Sequence, residues 1–254
     1  MSGLPELPRL PKSTTSRNRP AKWLPIVLLF ALANVAVAWP CVPVQTQSPA
    51  GDLNSVLAKM NANSANFKTA QADVEFETYQ KVVDEKDTQT GRIYFRRSGK
   101  GVEAALDLTS PAPKKIIYKD EKVSIYDQKI DQITERDVSK NKAEVEAFLS
   151  LGFGASGDDL KKSYGVTLDG WETIEGIKTA KLALVPKNEN TRRTYNKILL
   201  WIDPDRDVLL QQQFFEPSGD YRITRYSKMK LNSKIPDKVF QLKTTGSTKT
   251  IRPE

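Results

Sequence analysis

The sequence predicts an α+β domain: one strongly curved antiparallel sheet, with about three short helices covering its concave apolar face. Three observations predict it. Between residues 72 and 231 apolar and polar side chains alternate with a period of two, in one short run after another. Short turn-forming clusters separate the runs, so neighbours in sequence pair as an antiparallel meander. Helical spacing interrupts this pattern only near its start and between residues 140 and 164. About ten strands cannot stay flat, because strand twist curls a large sheet, and the few helices are the cover available for its apolar side.

Asp52 is a suitable N-cap, and Leu53, Val56, Leu57 and Met60 follow at the spacings of one helical face, predicting a helix over Asp52–Asn63. In the first strand Ala72, Val74 and Phe76 face one way, and Asp73, Glu75 and Glu77 the other. Asp84 to Asp87 reads as a charged turn. Ile93, Phe95 and Arg97 share a face of the next strand. After the Ser98-Gly99-Lys100-Gly101 turn, Val102, Ala104, Leu106 and Leu108 share another. Pro111 and Pro113 break the chain before Ile116-Ile117-Tyr118. Lys119 to Lys122 turns it, Val123 and Ile125 continue the alternation, and Ile130 to Thr134 closes the first set of strands.

The period then changes. Val145, Phe148 and Leu149 lie at helical spacing with Lys142, Glu144 and Glu146 opposite, predicting a helix over Lys140–Leu151 that stops at Gly152 and Gly154. A second short helix is expected over Gly157–Tyr164. Strands resume at Val166–Trp171, Ile177–Pro186, Thr194–Asp203, Val208–Phe215 and Tyr221–Leu231. Glu175-Gly176, Asp203-Pro204-Asp205-Arg206 and Pro217-Ser218-Gly219-Asp220 are the turn signals among them. Ile235 to Phe240 and a final short strand complete a single domain, residues 52–254.

Ahead of that domain the chain reads as an export signal. Arg9, Lys12, Arg17, Arg19 and Lys22 form a basic leader, an apolar run from Trp23 to Ala38 follows, and Ala36-Val37-Ala38 is a small-x-small cleavage pattern. That run is shorter than the roughly 20 residues of a membrane span. Residues 1–38 are therefore expected to be a cleaved signal peptide, the alternative being an uncleaved N-terminal anchor. The protein is expected in the periplasm, with residues 39–51 as a flexible mature N-terminus. Cys41 follows Trp39-Pro40 rather than a small residue, so it reads as an unpaired thiol, with lipidation as the alternative. Cleavage removes five of the 39 basic residues and one of the 31 acids, leaving 34 against 30. With no basic block interleaved with aromatics, no nucleic-acid partner is expected.

Composition bounds the chemistry. The 254 residues include no histidine and one cysteine. The commonest general base and metal ligand is missing, and a lone cysteine builds neither an intrachain disulfide nor a zinc site. No cofactor, metal or enzymatic activity is expected. Asp158-Asp159 and Asp203-Pro204-Asp205 read as cap and turn residues.

Two stretches carry motif-level information. The first is Gly91-Arg92-Ile93-Tyr94-Phe95-Arg96-Arg97, followed by Tyr118-Lys119-Asp120-Glu121-Lys122-Val123-Ser124-Ile125-Tyr126-Asp127. The second is Leu182-Ala183-Leu184-Val185-Pro186-Lys187, then Leu199-Leu200-Trp201-Ile202-Asp203-Pro204-Asp205, Gly219-Asp220-Tyr221-Arg222-Ile223-Thr224 and the Ile235-Pro236-Asp237-Lys238-Val239-Phe240 ending. In this order, from about Asp52 to Pro253, the series resembles the LolA family of outer-membrane lipoprotein carriers, with a LolA/LolB-like fold. The resemblance implies an unclosed β-barrel with a helical lid over a hydrophobic cavity. It also implies an arginine at the end of the second strand that bonds to the lid. Arg97 matches that position, with Arg96 the alternative if the register slips by one. Ser98 stands where the family often has proline, and Lys119-Asp120-Glu121 where it often has Ser-Asp-Gly.

Candidate cavity residues on the concave face are Val74, Phe76, Ile93, Phe95, Val102, Leu106, Val123, Ile125, Leu182, Leu184, Ile198, Leu200, Ile202 and Phe214, with Val145, Phe148 and Leu149 from the lid. The function so implied is a monomeric periplasmic carrier that binds lipoprotein acyl chains and moves them from inner to outer membrane. Its expected partners are acylated lipoproteins or other lipids, an inner-membrane lipoprotein-releasing transporter and an outer-membrane receptor. A general envelope-lipid carrier and a lipid-sensing regulator of the envelope stress response are the alternatives.

Overall fold

The computed structural model describes residues 49–99, 101–151, 153–206 and 208–253. The expected signal peptide and Cys41 lie outside these residues. Helix α1 (Pro49–Ser64) comes first, followed by strands β1 (Thr69–Gln80), β2 (Glu85–Ser98), β3 (Gly101–Ser110), β4 (Lys114–Lys119), β5 (Lys122–Asp127) and β6 (Gln132–Asp137). Helices α2 (Lys142–Leu151) and α3 (Gly157–Ser163) then precede β7 (Tyr164–Ile174) and β8 (Ile177–Pro186). Helix α4 (Glu189–Thr194), strands β9 (Lys197–Asp203), β10 (Val208–Phe215) and β11 (Tyr221–Leu231), and the short β12 (Lys249–Ile251) complete the chain.

All the described strands join one sheet in the order β12-β6-β5-β4-β3-β2-β1-β11-β10-β9-β8-β7. Two meanders meet where β1 pairs with β11, setting Val74 opposite Tyr226 and Phe76 opposite Thr224. The terminal strands β12 and β7 do not pair, so the curl stays an unclosed barrel. The α+β architecture is the expected one, with twelve strands in place of about ten and four described helices in place of three.

Several boundaries differ from expectation, each for a local reason. Helix α1 begins at Pro49, so Asp52 lies inside it and is not its N-cap. The first hairpin turns at residues 81–84, and Glu85 to Asp87 already pair with β1. Ile130 stands exposed in a turn, and β6 starts at Gln132. Residues 189–194 form α4 because the Asn188 side chain accepts from the Asn190 and Thr191 N–H groups, an N-cap that delays β9 to Lys197. The Lys119–Lys122 turn keeps its hairpin geometry without glycine: Asp120 and Glu121 adopt φ of 49° and 61°.

Two apolar faces result. The inner one is a continuous cluster joining α1 (Val56, Leu57, Met60) and α3 (Leu160) to the sheet. At Gly157 the helices approach so closely that a Cβ would lie 2.6 Å from the Leu57 carbonyl oxygen. On the outer face the chain after β11 crosses back over β3 and β4, where Ile235 and Phe240 pack on Ala105 and Ile117. It then runs parallel to β6 as β12. Asp131 anchors this strap by accepting from the hydroxyls of Thr245, Ser247, Thr248 and Tyr126.

Candidate functional site

The inner face is solid on one half and hollow on the other. Leu182, Leu184, Ile198, Leu200 and Ile202 are at most 3% exposed and belong to the packed cluster with α1 and α3. The strand pattern assigns them to a cavity wall, and the structure instead places them in the core, because α1 and α3 settle beside β7 and fill this half. Val74 is also fully packed, as is Phe95, whose ring lies between those of Phe67 and Phe153 at 5.6 and 5.7 Å. Phe214 is buried at the border, 5.3 Å from Phe148 and 5.0 Å from Tyr195. Ile125 shares the inner face by its pairing with Ile116 and lies off the cavity wall.

Under α2 the packing leaves a cavity of about 230 Å³. Phe76, Ile93, Leu106 and Val123 line it from the sheet, and Val145, Phe148 and Leu149 from α2. The structure adds Ile116, Tyr118, Phe153, Gln212 and Tyr226 to this wall. Tyr226 and Gln212 stand in strands whose alternation places them inward; Phe153 is visible in the sequence as an aromatic residue between two glycines. The Gln212 Nε2 donates to Tyr226 Oη at 2.7 Å. Burial pushes the Tyr226 phenol far up, and burial followed by the Glu146 charge raises that of Tyr118. Both stay neutral at physiological pH. The wall thus offers carbon surface and three neutral polar groups, an environment suited to apolar chains.

Polar contacts hold the cover over this space. Arg97, at the end of β2, donates from Nη1 to the Ser64 carbonyl (3.0 Å) and from Nη2 to the Gly154 carbonyl (2.5 Å). Its guanidinium carbon lies 5.4 Å from the centre of the Phe67 ring. One side chain therefore ties the C-terminus of α1 and the segment after α2 to the sheet, and the negative end of the α1 dipole favours a cation there. Gly154 has φ of 70°, and a Cβ would meet Phe67 at 2.3 Å, so this acceptor position requires glycine. Arg96 points to the outer face, bonding Glu103 and Asp237 and lying over Phe240, which removes it as an alternative for this contact. The β alternation separates the two neighbours.

Helix α2 has its own ties. Glu146 Oε1 accepts from Tyr118 Oη (3.3 Å) and from the Val102 N–H (3.4 Å); the Val102 side chain packs against the core and does not line the cavity. Lys142 pairs with Glu121 at 2.7 Å, and Thr191 of α4 donates to Glu144 at 2.8 Å. Sequence periodicity places these acids on the polar side of the helix without showing that they reach strands and α4. Outside α2 lies a second, open space of about 870 Å³, bounded by α4, the start of β7 and the end of β8. Val145, Phe148 and Leu149 line both spaces, so α2 is the partition between them.

The family profile described as outer membrane lipoprotein carrier protein LolA matches residues 65–243. No curated protein matches the chain. Among solved structures, an uncharacterized conserved protein from Thermus thermophilus has a TM-score of 0.50 at 11% identity, over 80% of this chain and 99% of that one. The Mycobacterium tuberculosis lipoprotein LppX gives 0.47 at 13% identity, over 72% and 98%. MucB in the Pseudomonas aeruginosa MucA/MucB complex gives 0.46 at 15% identity over 76% of this chain, which spans 61% of that one.

Proposed function

Because the chain belongs to the outer membrane lipoprotein carrier protein LolA family, we propose that it binds the acyl chains of lipoproteins and carries them through the periplasm from inner to outer membrane. The observation that carries this reading is the apolar cavity beneath α2, a helix that rests Val145, Phe148 and Leu149 on that space and is tied to the strands beside it by polar contacts of Glu146. As closed, the 230 Å³ space is smaller than the roughly 300–1,000 Å³ of ordinary ligand pockets. Loading therefore requires α2 to move, and because α2 is the partition, its movement joins the cavity to the 870 Å³ space outside.

The mechanism needs no covalent step. Arg97 and Glu146 favour the closed state, and acyl chains entering under α2 favour the open one. Each methylene withdrawn from water contributes about 0.8 kcal/mol, so ten methylenes supply on the order of 8 kcal/mol toward displacing the cover. Cargo leaves when an acceptor binds the same chains more strongly, and any partner that opens the lid must bind the open state better than the closed one.

Native mass spectrometry of the protein purified from periplasm without detergent tests this. Co-purifying acylated lipoprotein is the expected result. Bound phospholipid with no lipoprotein, even after incubation with both, would move the assignment to general lipid carriage, and a protein that stays empty would remove the carrier reading.

A further inference from the structure

The space outside α2 has features the inner cavity lacks. Phe148, 40% exposed, stacks over Tyr195 there, and Tyr164 and Pro186 also line the space. Two cations border it. Lys187 is positioned by its own backbone N–H bond to Ser163 and by its Nζ bond to the Lys161 carbonyl at 2.6 Å, and no carboxylate among the described residues pairs with it. Lys162 also lines the space and is bridged to Asp159 at 3.3 Å, both side chains being mostly exposed. Glu144, the one acid on the wall among the described residues, already accepts from Thr191.

Aromatic walls ending at an ammonium without a counter-charge suit an amphiphile whose head is an anion. We infer that the α2–α4 groove is a lipid subsite for an acyl chain with an anionic headgroup, the head at Lys187 and Lys162 and the chain along Phe148 and Tyr195. This rests on the acyl-binding reading above and adds headgroup selection to it. The shared wall of Val145, Phe148 and Leu149 lets a chain seated in the groove pass inward when α2 shifts.

Titration calorimetry below the micelle concentration tests it with palmitoyl lysophosphatidylglycerol, monopalmitoylglycerol and inorganic phosphate. The anionic lipid should bind about three- to fivefold tighter than the neutral one, the size expected of solvent-exposed charge pairing. That advantage should shrink as salt rises. Lys187→Gln should abolish most of the advantage while leaving monopalmitoylglycerol binding and thermal stability unchanged. Inorganic phosphate should bind far more weakly than either lipid, and an affinity comparable to theirs would make this a free-anion site and overturn the proposal. Equal binding of both lipids, unaffected by Lys187→Gln, would overturn headgroup selection and leave acyl binding standing. Binding of neither lipid would remove both.

Discussion

Replacing Arg97 with leucine removes the two hydrogen bonds that tie α1 and the segment after α2 to β2. A hydrogen bond from a charged donor contributes about 1.5–3 kcal/mol. Arg97 is partly exposed, so water recovers some of that, and about 2–4 kcal/mol is expected to be lost for the pair. At a tenfold change per 1.4 kcal/mol, local opening becomes roughly 30- to 700-fold more frequent. The sheet should be little affected, because its hydrogen bonds and the Leu182, Leu184 and Leu200 core do not involve the Arg97 side chain. Hydrogen exchange read by mass spectrometry should show lost protection in peptides covering residues 58–66 and 150–156, with β8 and β9 unchanged. A fluorescent fatty-acid probe should load faster. Unchanged protection in those two segments would refute the latch, and so would a uniform loss across the whole sheet, which would assign Arg97 to global stability.

Three other perturbations probe separate links. Leu200→Ala, at a fully buried site, should cost about 2–5 kcal/mol in urea unfolding, whereas a loss below about 1 kcal/mol would mean that half of the barrel is hollow. Asp131 is held at about 2, below its usual 3.8, chiefly by the hydroxyls of Thr248, Thr245 and Ser247. A carboxylate lowered in the folded state stabilises docking fully above the ordinary value and loses that contribution as pH falls through the folded one. Amide NMR signals of Thr248 and Ile251 should therefore hold steady down to about pH 4 and shift with a midpoint near 2; a midpoint at about 4 would contradict this anchor. Phe148→Ala removes ring contacts worth about 0.5–1.5 kcal/mol per pair and should weaken acyl-probe binding with little change in global stability. Unaltered binding would exclude α2 from the site.

Much of the architecture is legible in local pattern. The strand period identifies which side chains share a face, and Val74, Ile93, Leu106, Leu182 and Leu200 all face inward. Helix α4 is also readable in principle, since Asn188 followed by Glu189 is a cap signal, although the neighbouring strand pattern obscures it. The same periodicity cannot separate Leu106, on a cavity wall, from Leu182, in a solid core. Both are inward leucines on alternating strands.

Most strands and turns, the inward and outward faces and the amphipathic side of each main helix follow from local pattern, because these depend on residues within a few positions of one another, while several element ends, such as the start of β9 behind α4, do not. Tertiary structure alone decided where the hollow lies. Helices α1 and α3 fill one half of the curl, and α2 bridges the other without filling it. Arg97 becomes a tie only when Ser64 and Gly154, 33 and 57 residues away, arrive at its end of β2. Asp131 anchors the C-terminal strap only once residues 245–248 have crossed the outer face. A void is the volume left over after distant segments have packed, and no local periodicity encodes a remainder of that kind.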